Sequence, residues 1–293
     1  MNTTARPAAG KNRNLAVRLI TALVLLPIVL WLIWRGGLAF ALLIGAAAAA
    51  CALELNMLPE SLPPAETEIE EIEQESALVT GAAIVSIAGA FLIPVLDEIP
   101  LGVLDAGLVI TAVVIVAFAD GLLFEDRIEN APRRVGLAVL GTVYPGLLLS
   151  ALVPLRQMPD GQWWILLALT VTWLNDTCAY FSGRAFGRRK LYERISPSKT
   201  WEGAIGGTLG SVVGALVVQH FWLPQLPLWG AALVGVGAAV LGPVGDLSES
   251  MLKRAYGAKD SGRLLPGHGG LLDRIDALLF NAPFVLLCAR LLT

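Results

Sequence analysis

Acidic and basic side chains gather in two polar stretches of an otherwise apolar chain. In the second stretch, residues 245–276, Asp246, Glu249 and Lys253 recur at intervals of three and four residues, so a helix would place them on one face. Asp273 and Asp276 are three residues apart and would also share a helical face. Two helix ends that bring carboxylates to one interface form an oxygen-rich site of the kind that Mg²⁺ prefers.

Basic side chains flank these carboxylates, and Ser250 lies on the same helical face as Asp246. Cations in this arrangement bind polyphosphate, because they neutralise the charge on phosphate oxygens while a metal ion bridges them. The pattern therefore predicts a site that handles phosphate groups. Its basic residues are Lys253, Arg254, Lys259, Arg263 and Arg274.

A glycine-rich turn, residues 266–270, lies between the two groups of carboxylates. Gly269 and Gly270 have no Cβ, so their backbone N–H groups can approach phosphate oxygens closely. The charges on both sides favour a phosphate cradle over an ordinary turn. For His268 two roles stay open: donation of a hydrogen bond or proton to phosphate, and a structural hydrogen bond.

The first polar stretch, residues 172–203, begins inside an apolar run that also contains Asp176. A carboxylate within a membrane span is unfavourable and marks a candidate functional residue, although a buried hydrogen bond to a neighbouring helix is the alternative. Tyr180 and Gly183 share its helical face at four and seven residues along. The basic run from Arg184 to Lys190, taken alone, is typical of a topology anchor.

The composition excludes a soluble globular protein. Of 293 residues 56% are hydrophobic and 15% charged, with a mean hydropathy of +0.69, whereas a soluble domain needs far more polar surface. Three dispersed cysteines give neither a disulfide framework nor a Cys-x-x-Cys pair. The apolar runs approach the ~20 residues that span a bilayer as a helix. We predict an all-α polytopic membrane protein with about nine spans, at 16–34, 37–53, 77–96, 101–119, 135–154, 162–183, 203–222, 229–247 and 275–292.

Basic residues predict the orientation of these spans. With a cytoplasmic N-terminus, 18 of the 21 Lys and Arg residues fall on the inside. We divide the chain into a disordered cytoplasmic tail, 1–14, an N-terminal transmembrane region, 15–160, and a C-terminal catalytic region, 161–293. The segment 54–76 holds eight Glu and no Lys or Arg, and it is predicted as an acidic cytoplasmic loop, most simply a solvated linker.

Five small residues recur along the seventh predicted span. Their spacing gives overlapping small-x-x-x-small faces, which predict close packing against another helix. They are Gly203, Gly206, Gly207, Gly210 and Gly214.

Taken together, the polar stretches resemble the motifs of the phosphatidate cytidylyltransferase (CDP-diacylglycerol synthase) family. Two departures are Ser198, where the family often has lysine, and Cys178, where it often has glycine. The similarity covers about a hundred residues, while the N-terminal half resembles the family only in hydropathy. The matching residues are Asp176, Ala179, Tyr180, Gly183 and Arg184; then Ser196, Pro197, Lys199, Thr200, Glu202 and Gly203; then Ser250, Lys253-Arg254, Lys259-Asp260, Gly262, Leu265-Pro266, His268-Gly269-Gly270, Asp273-Arg274 and Asp276.

The resemblance implies an enzyme that joins CTP to phosphatidate and releases pyrophosphate during phospholipid biosynthesis. It implies Mg²⁺ as cofactor, with a monovalent cation such as K⁺ as a further candidate. The expected partners are the two substrates, membrane lipids and a second copy of the chain in a homodimer, with no nucleic acid. The expected location is the cell membrane, the inner one in a bacterium, with the active site facing the cytoplasm.

The resemblance also implies roles for individual residues. Asp246 and Asp273 are expected to be the principal Mg²⁺ ligands, with the other carboxylates as further candidates for metal ligation or for orienting basic groups. The expected catalytic set is Asp246, Asp273, Lys253, Lys259 and His268; the substrate-binding set is Lys199, Arg254, Ser250, Gly269, Gly270, Arg274, Tyr180 and Arg184; the further metal candidates are Asp176, Asp276, Asp260 and Glu202.

Two other classes of function stay open on the sequence. The nearer is another lipid-phosphate enzyme, such as a polyprenol or phytol kinase or a cytidylyltransferase for a different lipid, although the chain has no Walker A motif. The other is a transporter, which would suit an intramembrane Asp176. The clustering of charges on one predicted side of the membrane disfavours a transporter.

Overall fold

The computed structural model describes residues 9–58, 80–99, 104–124, 128–262, 264, 267 and 269–293, with backbone alone for residues 9–20 and 22. Helices dominate this part of the chain, as the sequence predicts. The N-terminal helices are α1 (Ala9–Arg35), α2 (Gly37–Met57), α3 (Gly81–Glu98), α4 (Ala106–Leu123), α5 (Ala131–Gly141), α6 (Leu148–Ser150) and α7 (Leu152–Gln157). The C-terminal helices are α8 (Gly161–Phe186), α9 (Trp201–Trp222), α10 (Leu228–Ala255) and α11 (Leu272–Leu292).

Within the described residues, seven helical segments are long and apolar enough to cross a membrane. This supports an integral membrane protein, because a helix of ~20 apolar residues spans the hydrocarbon core. The segments are Gly37–Met57, Gly81–Glu98, Ala106–Leu123, Ile128–Gln157, Trp201–Trp222, Leu228–Ala255 and Leu272–Leu292. Helix α1 begins at Ala9 and so includes part of the predicted tail, whose residues 1–8 lie outside the described residues.

A short β-hairpin interrupts the helical fold between α8 and α9. Strand β1 (Lys190–Tyr192) pairs antiparallel with β2 (Ser196–Thr200). The sequence predicts only a polar join here, because these two strands are too short for periodicity to reveal. The hairpin leads directly into α9, where the Oγ1 atom of Thr200 accepts a hydrogen bond of 3.1 Å from the N–H of Gly203 and caps the helix.

Helices α8 and α9 pack closely through the glycine face of α9. A Cβ atom added at Gly207 would lie 2.9 Å from the carbonyl oxygen of Asn175, and one at Gly203 would lie 2.9 Å from that of Ala179. Backbones approach this closely only where side chains are absent. The predicted small-residue packing of the seventh span is therefore confirmed, with α8 as its partner.

Helices α10 and α11 pack in antiparallel directions. The end of α10 faces the start of α11, since a Cβ at Gly245 would lie 2.5 Å from the carbonyl oxygen of Asp276. The start of α10 faces the end of α11, where a Cβ at Gly230 would lie 3.0 Å from Leu292. This direction brings the carboxylates near the end of α10 beside those in the first turns of α11.

The apolar segment Ile128–Gln157 is irregular. Between α5 and α6 the chain forms a π-helical turn, Thr142–Leu147, which contains Pro145. Proline has no N–H to donate to the preceding turn, so the regular helical hydrogen bonding is interrupted here. The turn points Tyr144 inward, where its ring lies 6.2 Å from that of Phe280 on α11 in an edge-to-face contact.

Candidate active site

Six of the predicted site residues lie in two clusters, formed by side chains of α2, α8, α10 and α11, of strand β2 and of the join after α10. The first, which we call the open cluster, consists of Asp176, Lys199, Asp246 and Asp276. The Nζ atom of Lys199 lies 2.7 Å from Oδ2 of Asp246, and the two side chains are 22% and 36% exposed. Asp176, on α8, and Asp276, on α11, both interact electrostatically with this ion pair. The hairpin thus places a lysine among three carboxylates drawn from three helices.

The open cluster is accessible to a ligand. Asp176 is exposed and Asp276 is half-buried. Ser250 belongs to its edge, because its Oγ atom donates a hydrogen bond of 3.3 Å to Oδ1 of Asp246. An ion pair that is partly exposed to solvent contributes little to stability, so Lys199 can exchange its carboxylate partner for a phosphate at small cost.

The second cluster, which we call the buried cluster, consists of Glu54, Glu249, Lys253, Ser261 and Asp273. The Nζ atom of Lys253 lies 2.5 Å from Oε2 of Glu249 and 2.5 Å from Oδ1 of Asp273. These three side chains are 10%, 1% and 14% exposed. The second oxygen of Asp273 accepts hydrogen bonds from the N–H and Oγ of Ser261, at 2.9 and 3.0 Å. Lys253 is therefore held by two carboxylates rather than presented to solvent.

Glu54 joins the buried cluster although the sequence predicts it as the start of the acidic loop. The structure places Glu54 in the last turn of α2, with its side chain 2% exposed. The only signal in the sequence is its position, since it follows directly on the apolar run of α2 while the other seven acidic residues lie further along. Residues 59–79 of the predicted loop lie outside the described residues.

The glycine turn packs onto the buried cluster. Gly269 has a φ of +86°, in the left-handed region that favours glycine. A Cβ atom on Gly270 would collide with Ser261 and would lie 2.9 Å from carboxylate oxygens of both Glu54 and Asp273. Gly270 therefore permits the turn to close over these carboxylates. His268 lies outside the described residues.

Other predicted site residues lie around the two clusters. Glu202 accepts hydrogen bonds from the backbone N–H groups of Arg188 and Arg189, at 3.0 and 3.2 Å, so it fixes the chain before the hairpin. Lys259 and Asp260 are exposed in the join after α10, and Arg274 is exposed on α11.

Two more contacts involve predicted site residues. Arg184 donates a hydrogen bond of 2.9 Å to the Tyr180 hydroxyl on the exposed end of α8. Arg254 donates one of 2.8 Å to the carbonyl oxygen of Ala258, which tightens the turn after α10.

Tyr144 is a further residue that the sequence did not single out. Its side chain is 7% exposed, and its buried hydroxyl has no hydrogen-bond partner among the described residues. The hydroxyl interacts electrostatically with Asp246, Glu249 and Asp276, which belong to both clusters. The N-terminal region therefore reaches the site through Tyr144 as well as through Glu54.

The oxygen-rich donor set suits a hard divalent cation. Within the described ranges, no group of three or more His, Cys, Asp or Glu side chains is arranged as a ready-made metal site. Mg²⁺ commonly binds through only one or two carboxylates and completes its shell with water and substrate phosphates. The two expected ligands lie in different clusters: Asp246 is in the open cluster beside Lys199, whereas both oxygens of Asp273 already accept hydrogen bonds, from Lys253 and from Ser261. Asp246 is therefore the donor more available to a cation.

Long apolar helices with carboxylates and lysines at their meeting ends define an integral membrane protein with a polar site. A model of the cytidylyltransferase family matches residues 16–292. The chain is 38% identical over 277 residues to the phosphatidate cytidylyltransferase of Brucella suis biovar 1 (strain 1330), covering 94% of this chain and 93% of that protein.

Bacterial relatives from other groups match shorter parts of the chain. The phosphatidate cytidylyltransferase of Bacillus subtilis (strain 168) is 41% identical over 153 residues, 52% of this chain and 57% of that protein. The one from Staphylococcus haemolyticus (strain JCSC1435) is 48% identical over 126 residues, 43% and 48% of the two chains. The chain belongs to the cytidylyltransferase family and is a nucleotidyltransferase.

Proposed function

We propose that this protein is a phosphatidate cytidylyltransferase, which converts CTP and phosphatidate into CDP-diacylglycerol and pyrophosphate. The observation that carries the proposal is the open cluster, where Lys199 and three carboxylates meet at the ends of apolar helices. A site in that position can take a water-soluble nucleotide and a lipid headgroup together. The names of the relatives support the same pair of substrates.

The proposed reaction is a displacement at phosphorus. A phosphate oxygen of phosphatidate forms a bond to the α-phosphorus of CTP, the bond between the α-phosphorus and the bridging oxygen breaks, and pyrophosphate leaves with that electron pair. The lipid phosphate is already ionised near neutral pH, so the step needs no strong general base. Catalysis then consists mainly of positioning the substrates and neutralising charge.

The basic residues divide by exposure into two proposed roles. Lys199, Arg254 and Lys259 are proposed to bind substrate phosphates, since Lys199 is partly exposed and the other two are exposed. Lys253 is paired with Glu249 and Asp273, which favours a role in orienting Asp273 over direct contact with phosphate.

Asp246 is the proposed principal ligand of Mg²⁺, with Asp176 and Asp276 beside it. Asp273 is the proposed second ligand, and it would bind the ion by giving up one of its hydrogen bonds from Lys253 or Ser261. A bound divalent cation would draw negative charge from the phosphates of CTP. The same carboxylates could hold a monovalent cation such as K⁺. Glu202 is a weaker candidate ligand than its place in the sequence motif indicates, because its oxygens already accept hydrogen bonds from the backbone N–H groups of Arg188 and Arg189.

We further propose nine membrane spans, a cytoplasmic N-terminus and an active site that faces the cytoplasm. This count adds α1 and α8 to the seven apolar segments, because their lengths of 27 and 26 residues suffice to cross a bilayer. The distribution of Lys and Arg supports the orientation. A homodimer in the cell membrane completes the proposal.

The test is a direct assay of the purified protein in mixed micelles. With CTP, phosphatidate and Mg²⁺, we expect stoichiometric pyrophosphate and CDP-diacylglycerol, and little product when ATP, GTP or UTP replaces CTP. Phosphorylation of a polyprenol or phytol by ATP would instead identify a lipid kinase. Solute flux in proteoliposomes that persists in Asp273→Asn, without any cytidylyl transfer by the unmodified protein, would identify a transporter.

A further inference from the structure

Glu54 is a carboxylate buried at the end of an apolar helix, and three hydrogen-bond donors contact it. Its Oε1 atom accepts a hydrogen bond of 2.9 Å from the N–H of Leu271, and Oε2 accepts one of 2.8 Å from the N–H of Leu272. The Oγ atom of Ser261 adds a third donor at 3.1 Å. A buried carboxylate is strongly disfavoured unless such donors replace its water.

The two backbone donors, the N–H groups of Leu271 and Leu272, belong to the N-terminus of α11, which has no side-chain cap of its own. Leu271 precedes the helix and offers no side-chain acceptor. The first N–H groups of a helix lack partners within the helix and carry a partial positive charge. Caps are usually Ser, Thr, Asp or Asn immediately before the helix. Here a carboxylate 217 residues earlier in the chain supplies the acceptor.

The Glu54 cap is connected to Asp273 through Ser261. Ser261 lies between the two carboxylates, with its Oγ atom 3.1 Å from Oε2 of Glu54 and 3.0 Å from Oδ2 of Asp273. Asp273 itself lies in the first turn of α11, the turn that Glu54 caps. Displacement of that turn would move Asp273 away from Lys253, whose Nζ atom lies 2.5 Å from it.

We infer that Glu54 is a positioning residue for the reaction: it caps α11 from the N-terminal region and thereby fixes Ser261 and Asp273 in the site. The inference deepens the proposed function and rests on it. It also assigns a part in the catalytic machinery to the N-terminal region, which the family model matches although the quoted motifs do not extend into it. Glu54 acts through Asp273 and does not itself contact the substrates.

The kinetic test compares Glu54→Gln with a matched control on the same helix. Glutamine keeps the size of the side chain but turns one acceptor into a donor that faces the N–H groups of α11. The control is Asn56→Ala, which removes hydrogen bonds to Ala52 and Ser86 from another buried side chain in the last turn of α2. We expect kcat to fall about tenfold or more in Glu54→Gln, with KM for CTP within about twofold, and kcat to be retained in Asn56→Ala.

A second measurement does not depend on activity. Hydrogen exchange should become faster at the amides of Leu271 and Leu272 in Glu54→Gln, and stay slow there in Asn56→Ala. Wild-type kcat and protection in Glu54→Gln would overturn the inference, and so would equal losses in both variants, which would show general destabilisation. If the unmodified protein transferred no cytidylyl group, the proposed function would fail, while the exchange comparison would still decide whether Glu54 holds α11.

Discussion

The open cluster and the buried cluster use the same chemical groups in opposite ways. Each pairs a lysine with carboxylates from neighbouring helices. The Lys199–Asp246 pair is 22% and 36% exposed, whereas Lys253, Glu249 and Asp273 are 10%, 1% and 14% exposed. In the buried cluster, Ser261 and backbone N–H groups satisfy most of the remaining oxygens.

The difference teaches that exposure, rather than residue type, separates binding groups from supporting ones. A buried ion pair is rigid because loss of one member leaves an uncompensated charge in a medium of low dielectric constant. A partly exposed pair is weak and can dissociate to admit a ligand. The open cluster is therefore suited to contact substrate, and the buried cluster to hold α10 and α11 in register.

The largest effect on stability is expected from Lys253→Met. The change leaves Glu249 and Asp273 buried without their shared cation, so the free energy of unfolding should fall by about 3–5 kcal/mol. The measurement is thermal denaturation of the purified protein in detergent. Lys259→Met, at an exposed lysine in the join that follows, serves as control and should leave the midpoint nearly unchanged. An unchanged thermal midpoint for Lys253→Met would show that the buried cluster does not stabilise the fold more than the open cluster does.

Asp246→Asn should have the largest effect on catalysis at little cost in stability. The proposed metal ligand and the partner of Lys199 are lost together, so we expect kcat to fall on the order of 100-fold. The thermal midpoint should change little, because the side chain is 36% exposed. Asp160→Asn is the matched control, because it removes the same charge immediately before α8, at the end of that helix away from Asp176. Near-normal turnover in Asp246→Asn would contradict both the ligand assignment and the role of the open cluster.

Lys199→Met should weaken substrate binding more than it slows turnover. A charged hydrogen bond to phosphate contributes about 1.5 kcal/mol, which corresponds to roughly a tenfold rise in KM for CTP or phosphatidate. Steady-state kinetics with each substrate varied in turn would show which of the two Lys199 binds. Lys190→Met, on the other strand of the same hairpin, separates loss of the ammonium group from disturbance of the hairpin. If both variants raised KM equally, the rise would come from disturbance of the hairpin and not from loss of the Lys199 ammonium group.

The smallest effect is expected for the coupling between Lys199 and Asp246 in stability. A double-mutant cycle on thermal unfolding should give less than about 1 kcal/mol for this pair, because solvent screens it. The same cycle on Lys253 and Glu249 should give a clearly larger coupling. Equal couplings would show that the difference in exposure has no energetic consequence.

Much of the site can be predicted from the sequence because its residues are local along helices. Asp246 and Lys253 fall on one stripe of α10, and the glycines of α9 predict its packing before the partner is known. The hairpin before α9 could not be predicted, since its strands are too short for a periodic signal. The role of Glu54 could not be predicted either. A glutamate at the end of an apolar run gives the same sequence pattern whether its side chain faces water or caps a distant helix.

The sequence by itself determined the helical membrane class, because ~20-residue apolar runs in a polytopic chain have only one common solution in a bilayer. It also determined which residue types could bind phosphate and a divalent cation. Only the tertiary structure decided that Lys199 is partly exposed and Lys253 is buried, since the exposure of a side chain depends on which helices meet around it. Antiparallel packing of α10 and α11 buries Lys253 between Glu249 and Asp273, while the hairpin leaves Lys199 at the open edge.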